Sequence, residues 1–171
     1  RLSLVGSEMC IRDRYYGGPM MGWKTNEVPV QGKAGSTSRF ALKNNFLYAT
    51  DSWSMKIYNV SNSTALVESP AVYLMGNAET IFPTNDKLFI GTQTGMLIYD
   101  ITNDGNPNYE GIFNHGRGCD PVIVEGNKAY VTLRSGGPCG DIKNELHVVN
   151  ISDPVNPVLE QSYPMQEPRG L

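Results

Sequence analysis

Cysteine, histidine and tryptophan are scarce in this sequence. Its 171 residues include three cysteines, two histidines and two tryptophans. His115 lies four residues before Cys119, but no Cys-x2-Cys spacing exists, and a structural zinc site normally takes four protein ligands. The sequence therefore predicts no metal centre, and it contains no motif that indicates a cofactor. His147 is interpreted as an ordinary strand residue.

Long apolar runs and an excess of basic residues are also absent. Fourteen lysines and arginines stand against 17 acidic residues, for a net charge of −3. No run of about 18 apolar residues occurs, so the sequence predicts no transmembrane helix. A surface of mixed charge without a basic stripe is not expected to bind nucleic acid. We therefore expect a protein or a small molecule as partner, and no nucleic acid.

No segment has the apolar spacing of a helix. Instead, short stretches rich in aromatic and β-branched residues, such as KAYVTL at residues 128–133, alternate with turns rich in Asn, Asp, Pro and Gly. A parallel α/β sheet needs crossover connections that are usually helices. The pattern therefore favours an all-β fold with antiparallel strands.

An internal repeat defines the fold class. Residues 44–62 align with residues 85–103 without a gap, at an offset of 41. A third copy starts at the same offset, and after a nine-residue insertion within residues 135–143 its offset from the second copy is 50. A period near 40 residues with four strands per unit is typical of β-propeller blades, whereas an all-β sandwich would lack this self-similarity. The sequence predicts part of a β-propeller with three four-stranded antiparallel blades and the start of a fourth.

The repeat also predicts where the units begin and end. The three blades are expected at about residues 36–75, 76–115 and 116–165, with the next blade starting near residue 167. Residues 15–35 are predicted to be an irregular linker. Residues 1–14, RLSLVGSEMCIRDR, share no pattern with the rest and resemble a translated sequencing adapter, so we expect a non-native leader there. The chain is thus predicted to be a fragment of a larger propeller.

Two stretches of the repeat resemble the LVIVD repeat. They are MLIYDITNDGNP at residues 96–107 and LHVVNISDPVNPVLEQSYPM at residues 146–165. The likeness covers about residues 35–171, although the first unit has Asn59 where the motif has Asp. It implies an exported protein of the bacterial cell envelope, in the periplasm, at the outer membrane or at the cell surface. It also implies membrane contact only through a lipid anchor outside this fragment.

Two loops of the third unit are expected to share one face of the propeller. The loop that leads into a blade's innermost strand and the loop between its second and third strands emerge on the same side. In the third unit these are residues 114–120 and 135–143, and we call this side the long-loop face. Cys119 and Cys139 fall in these loops, so a disulfide is predicted, with two free thiols as the alternative. A disulfide fits an oxidising compartment.

Charged and histidine side chains near the long-loop face are the candidate ligand-binding residues. Glu79 and Asp120 stand at equivalent strand starts, with Ser38 at that position in the first unit. Carboxylates that converge there can hold a cation or exchange protons, and solvated turn residues are the alternative. Nearby arginines can bind an anionic ligand or pair with those carboxylates. The predicted binding residues are Glu79, His115, Arg117, Asp120, Arg134 and Glu167.

Two classes of function remain open. The first is a binding or scaffolding module whose loops make the contacts while a rigid frame holds them. The second is a propeller enzyme, a hydrolase or a lyase, with acidic residues and arginines at the channel mouth. His115, Asp120 and Ser135 are the residue types of a nucleophilic triad, but no Gly-x-Ser-x-Gly turn accompanies them. No catalytic residue is therefore predicted.

Overall fold

The computed structural model describes residues 38–62, 64–118, 121–135, 143–166 and 168. These residues form twelve β-strands. In chain order the strands are β1 (Phe40–Lys43), β2 (Phe46–Thr50), β3 (Ser54–Asn59), β4 (Val67–Tyr73), β5 (Ala78–Pro83), β6 (Lys87–Thr92), β7 (Gly95–Asp100), β8 (Asn108–Asn114), β9 (Val122–Glu125), β10 (Lys128–Leu133), β11 (Glu145–Asn150) and β12 (Val158–Pro164). Among the described residues, no helix is long and apolar enough to cross a membrane.

The strands form three separate four-stranded sheets. The sheet orders are β1-β2-β3-β4, β5-β6-β7-β8 and β9-β10-β11-β12, and every neighbouring pair is antiparallel. We call these sheets the first, second and third blades. They confirm the predicted all-β fold with three antiparallel blades. The predicted leader and linker, and residue 167, lie outside the described residues.

The first strand of each blade lies innermost. Strand β5 contacts β1 on one side and β9 on the other, whereas every residue of the outermost strand β12 is exposed. Between the blades lie two apolar clusters of buried side chains. One joins the first and second blades and includes Tyr48 and Leu97, and the other joins the second and third blades and includes Phe113 and Val131. Each interface between blades is therefore a hydrophobic core of its own.

The third strand of each blade ends in the same side-chain-capped turn. In every case the side-chain oxygen of the last strand residue accepts a hydrogen bond of 2.9 Å from the backbone N–H two residues later. The residues are Asn59, Asp100 and Asn150. Because an asparagine carbonyl accepts this bond as well as a carboxylate does, the first blade keeps the turn although it has Asn in place of Asp.

In the second and third blades, a lysine at the start of the second strand forms ion pairs with carboxylates of the outer strands of its own blade. Lys87 Nζ lies 2.7 Å from Asp100 Oδ2 and 3.1 Å from Glu110 Oε1. In the third blade Lys128 pairs in the same way with Glu160. Both glutamates occupy the extra residue of a bulge between the third and fourth strands. The repeat therefore conserves both the bulge and the ion pair in these two blades.

The substitution Asp100→Asn should make the free energy of unfolding less dependent on pH under acidic conditions. Hydrogen bonds from Lys87 and Thr102 lower the pKa of Asp100 from 3.8 to about 2. Because the folded-state pKa is the lower one, this stabilisation is complete above about pH 4 and is lost as the pH falls toward 2. Asparagine, the residue at the equivalent position 150, keeps the turn but loses the charge. We expect a loss of about 1 kcal/mol at pH 7, measured by urea unfolding.

The same series of urea experiments between pH 4 and pH 2 provides the check. Asp100→Asn should unfold with a flatter dependence on pH in this window than the unaltered chain. Lys87→Met should flatten it as well, because it removes the first cause of the lowered pKa of Asp100. A variant Asp100→Asn with an unchanged pH dependence would show that this carboxylate does not control acid stability.

The outer faces of the first and third blades carry exposed apolar side chains. Tyr163 on β12 is 47% exposed, whereas Phe113, its equivalent on β8, is 7% exposed because the third blade covers it. Phe40 on β1 is 62% exposed, whereas its equivalent Ile81 is completely buried. These two faces are therefore equivalent to the surfaces that pack between blades, but no other described residue covers them.

Candidate functional site at the long-loop face

The two loops on the long-loop face begin from fixed points of the frame. The backbone N–H groups of His115 and Gly118 donate hydrogen bonds of 3.2 and 3.1 Å to carbonyls of the turn between β6 and β7. The loop before β9 is thereby attached to the second blade. Across the third blade, the side-chain oxygen of Asn144 accepts a hydrogen bond of 2.9 Å from the N–H of Ser135. This bond closes the base of the inserted loop.

Two histidine rings meet where the second blade packs against the third. The ring centroids of His115 and His147 are 6.5 Å apart, and the ring planes are at 76°. Phe113 lies beside both rings, with centroid distances of 6.0 and 6.2 Å. The equivalent positions at the interface between the first and second blades hold Leu74 and Leu97, which are buried in its core. One interface thus has imidazoles where the other has leucines.

Glu145 links His147 to the outer strand. Nε2 of His147 lies 3.0 Å from Oε2 of Glu145, and the Ser162 hydroxyl donates a hydrogen bond of 2.8 Å to the same oxygen. Nζ of Lys143 lies 3.8 Å from the other carboxylate oxygen. The hydrogen bond with His147, followed by the one with Ser162, lowers the pKa of Glu145. Glu145 is therefore an ionised acceptor that sets the orientation of the imidazole.

The second ring nitrogen of His147, Nδ1, determines which chemistry is open to His147, Glu145 and Ser162. With Nε2 donating to Glu145, Nδ1 of a neutral ring is an acceptor. This nitrogen is buried and has no hydrogen-bond partner among the described residues. The hydroxyl of Ser162 points its hydrogen at Glu145 and is not deprotonated by the imidazole, so these three side chains do not form an activated nucleophile. Within the described part of the chain, no group of three or more His, Cys, Asp and Glu side chains is placed to hold a metal ion.

The sequence-predicted residues that the structure describes lie on the long-loop face. Glu79 accepts a hydrogen bond of 3.1 Å from the side-chain amide of Gln93, whose backbone carbonyl holds the loop before β9. Arg117 and Arg134 are exposed, and neither forms an ion pair with a described carboxylate. Both guanidinium groups therefore face solvent.

Other predicted residues cannot be placed. Asp120, Glu167, Cys119 and Cys139 lie outside the described residues. The converging carboxylates and the disulfide therefore stay predictions. The hydroxyl of Ser38, at the equivalent position in the first blade, donates a hydrogen bond of 2.7 Å to the carbonyl of Phe40.

The structure adds Glu145, His147 and Ser162 to the site. A comparison of equivalent positions in the three units points to two of them, because the residue type there differs between units. At the offset of 50 residues, Leu97 becomes His147 and Gly95 becomes Glu145. The sequence signal for such a site is a position that is apolar and buried in one unit and polar in the next.

Comparison with known proteins identifies the family. No curated protein matches the chain. The sequence model of the LVIVD repeat matches residues 34–73 and 116–164, which together make up about half of the chain. The first match contains all four strands of the first blade, and the second contains all four strands of the third blade. The chain therefore belongs to the LVIVD-repeat family.

Proposed function

We propose that this chain is a binding module whose long-loop face binds an anionic group of a protein or small-molecule partner. The observation that carries the proposal is the pair of imidazoles at the packed interface between the second and third blades, where the interface between the first and second blades has leucines at the equivalent positions. Polar side chains in such a position cost stability. Departures from good packing of this kind concentrate at functional sites.

The charges at this end of the third blade favour an anionic partner. Arg134 follows β10 and Lys143 precedes Glu145 on β11, where Leu133 and Glu145 are opposite each other in register. Arg117 lies in the adjoining loop. An arginine side chain presents two parallel N–H groups to a carboxylate or a phosphate. Two exposed guanidinium groups on one face thus suit such a group.

The contacts of Ser162 favour binding over nucleophilic catalysis. Its hydroxyl is directed to Glu145 and not to His147. The histidine is therefore a hydrogen-bonding group within the binding face. This supports the binding module over the alternative of a hydrolase, which would need a hydroxyl activated by a neighbouring base.

Titration of a fluorescein-labelled oligoglutamate peptide tests the proposal. Fluorescence anisotropy at low salt should show saturable binding to the chain. Arg134→Ala should weaken the affinity about fivefold to tenfold, because one charge-assisted contact is lost. Lys56→Ala is the matched control, since Lys56 is an exposed cation on β3 of the first blade, and it should leave the affinity unchanged. Equal weakening by both variants, or no saturable binding, would overturn the proposal.

We also propose that the protein acts at the bacterial cell envelope. The likeness to LVIVD-repeat proteins supports this location, as does the expected disulfide between Cys119 and Cys139. Fractionation of the source cells, followed by peptide mass mapping without reductant, tests both points. The expected result is an envelope fraction with a linked peptide pair that contains both cysteines. A cytosolic fraction with two free thiols would contradict the proposal.

A further inference from the structure

A cavity lies between the second and third blades on the face opposite the long loops. Its volume is about 390 Å³, and the turn between β5 and β6, the turn between β9 and β10 and the loop after β11 line it. Small-molecule pockets range from about 300 to 1,000 Å³, so a compound of modest size fits. Its lining includes Asn85, Phe89, Asn127, Ile151, Ser152 and Pro154.

The same place between the first and second blades is closed by a polar contact. Nζ of Lys43 lies 3.1 Å from Oδ1 of Asp104, and the side-chain amide of Asn44 donates a hydrogen bond of 2.8 Å to Oδ2. The hydroxyl of Tyr48 donates to the backbone carbonyl of Asp104 at 2.7 Å. We call this group of four residues the interblade latch. It joins the inner strands of one blade to the loop after the third strand of the next.

The cavity stands where the second interface lacks the latch. At the offsets of the repeat, Asn44 is retained as Asn85, whereas Lys43, Tyr48 and Asp104 are replaced by Thr84, Phe89 and Pro154. These four equivalent residues all line the cavity. The cation, the phenol hydroxyl and the carboxylate are all missing, and nothing else from the described residues fills the space. The cavity is therefore specific to this interface and is not a general property of the repeat.

The lining offers unused groups that both donate and accept hydrogen bonds. The side-chain amides of Asn85 and Asn127 and the hydroxyl of Ser152 belong to exposed residues and make no hydrogen bond to another described residue. An amide and a hydroxyl each provide a donor and an acceptor, as the hydroxyl groups of a polyol do. Phe89, Ile151 and Pro154 supply apolar walls against which the carbon skeleton of such a compound packs.

The charges beside the cavity are negative overall and disfavour an anion. Lys87, which lines the cavity, lies within 4 Å of three carboxylates, those of Asp86, Asp100 and Glu110. Three carboxylates around one ammonium repel a negatively charged ligand. One ammonium shared by three carboxylates leaves a net negative charge beside the cavity. The polar side chains of the lining that have no hydrogen-bond or ion-pair partner among the described residues are two amides and a hydroxyl, which are neutral and suit an uncharged ligand.

We propose that this cavity binds a small uncharged polyhydroxy compound, of the size of a monosaccharide. The amides and hydroxyl of the turns bind its hydroxyl groups, and the phenyl, isoleucine and proline walls bury its carbon skeleton. The site is separate from the long-loop face and does not depend on an anionic partner there. A failure of either proposal thus leaves the other standing.

Saturation-transfer NMR with D-glucose as probe tests the site on the whole chain. Saturable transfer to the sugar is expected, at millimolar affinity. The variant Thr84→Lys/Phe89→Tyr/Pro154→Asp introduces the latch residues into the second interface and should fill the cavity. It should abolish the transfer, and its thermal unfolding midpoint should stay equal or rise. Asn127→Ala, on an exposed turn, should weaken the affinity about tenfold without affecting folding. Lys56→Ala, at an exposed position of the first blade, is the control and should bind the sugar as the unaltered chain does.

Several outcomes would overturn the site. One is the absence of saturable transfer from the unaltered chain to the sugar, which would show that the cavity does not bind it. Another is transfer that persists in Asn127→Ala and in a folded latch variant. A third is binding of choline or of inorganic phosphate in place of the sugar, which would show that the charges, and not the hydroxyl-binding groups, control the cavity.

Discussion

Asp104→Ala is expected to lower the free energy of unfolding by about 2 to 3 kcal/mol. The carboxylate of Asp104 accepts from Lys43 and Asn44, and the side chain of Lys43 is only 8% exposed. Removing one partner of a largely buried pair leaves the other charge without compensation. The loss of stability should lie at the low end of the range for breaking a buried ion pair, because the side chain of Asp104 is 21% exposed. Urea denaturation followed by tryptophan fluorescence measures it.

A double-mutant cycle distinguishes two causes of the lost stability, the unpaired charge of Lys43 and the loss of packing around Asp104. Lys43→Met/Asp104→Ala removes the ammonium together with its partner, so most of the stability should return. The isolated change Lys43→Met should cost less than Asp104→Ala, because it leaves a carboxylate that still accepts from Asn44. If the double variant is as unstable as Asp104→Ala, the loss comes from packing of the loop, and Lys43 is not the cause.

Gly111→Ala is expected to destabilise the interface between the second and third blades by about 1 to 3 kcal/mol. Gly111 lies on β8, and a Cβ atom there would overlap the backbone carbonyl oxygen of Pro154 and come within 3.0 Å of Val155 Cα. These are backbone atoms, so no side-chain rotation relieves the clash. The loop after β11 must move away from the second blade. Thermal unfolding of the variant measures the loss.

Gly105→Ala is the matched control for this prediction. Gly105 lies in the corresponding loop of the second blade and packs against the first blade. A Cβ atom there would meet the ring of Phe46 at 3.1 Å, and a partly buried ring can shift. The cost should therefore be clearly smaller than that of Gly111→Ala. Equal costs at the two positions would mean that general glycine effects, and not the contact with the backbone of Pro154, decide the outcome.

The three four-stranded blades of this chain could be predicted because their residues recur at fixed offsets in the sequence. An ungapped offset between two units means that equivalent residues occupy equivalent strands, and four strand-like stretches per unit then give four-stranded sheets. The long-loop face followed from the same topology, since successive strands of a meander end on alternate sides. Glu79, Arg117 and Arg134 could be assigned to that face for this reason.

The roles of individual side chains could not be predicted in the same way. The sequence predicts an ordinary strand residue at His147, because a strand pattern does not tell which neighbour in another blade an inward side chain contacts. That neighbour, His115, comes from the preceding blade, 32 positions earlier in the chain. The latch of Lys43 with Asp104 spans 61 residues, and it too joins two different units.

The sequence by itself determined the strand content, the unit length and the order of the strands, because local alternation and a fixed period specify them. Only the tertiary structure decided how the two interfaces differ. One has leucines and a closed latch, and the other has imidazoles at one end and a cavity at the other. The physical reason is that an interface depends on pairs of residues from two units. A repeat can keep its backbone while each pair changes independently.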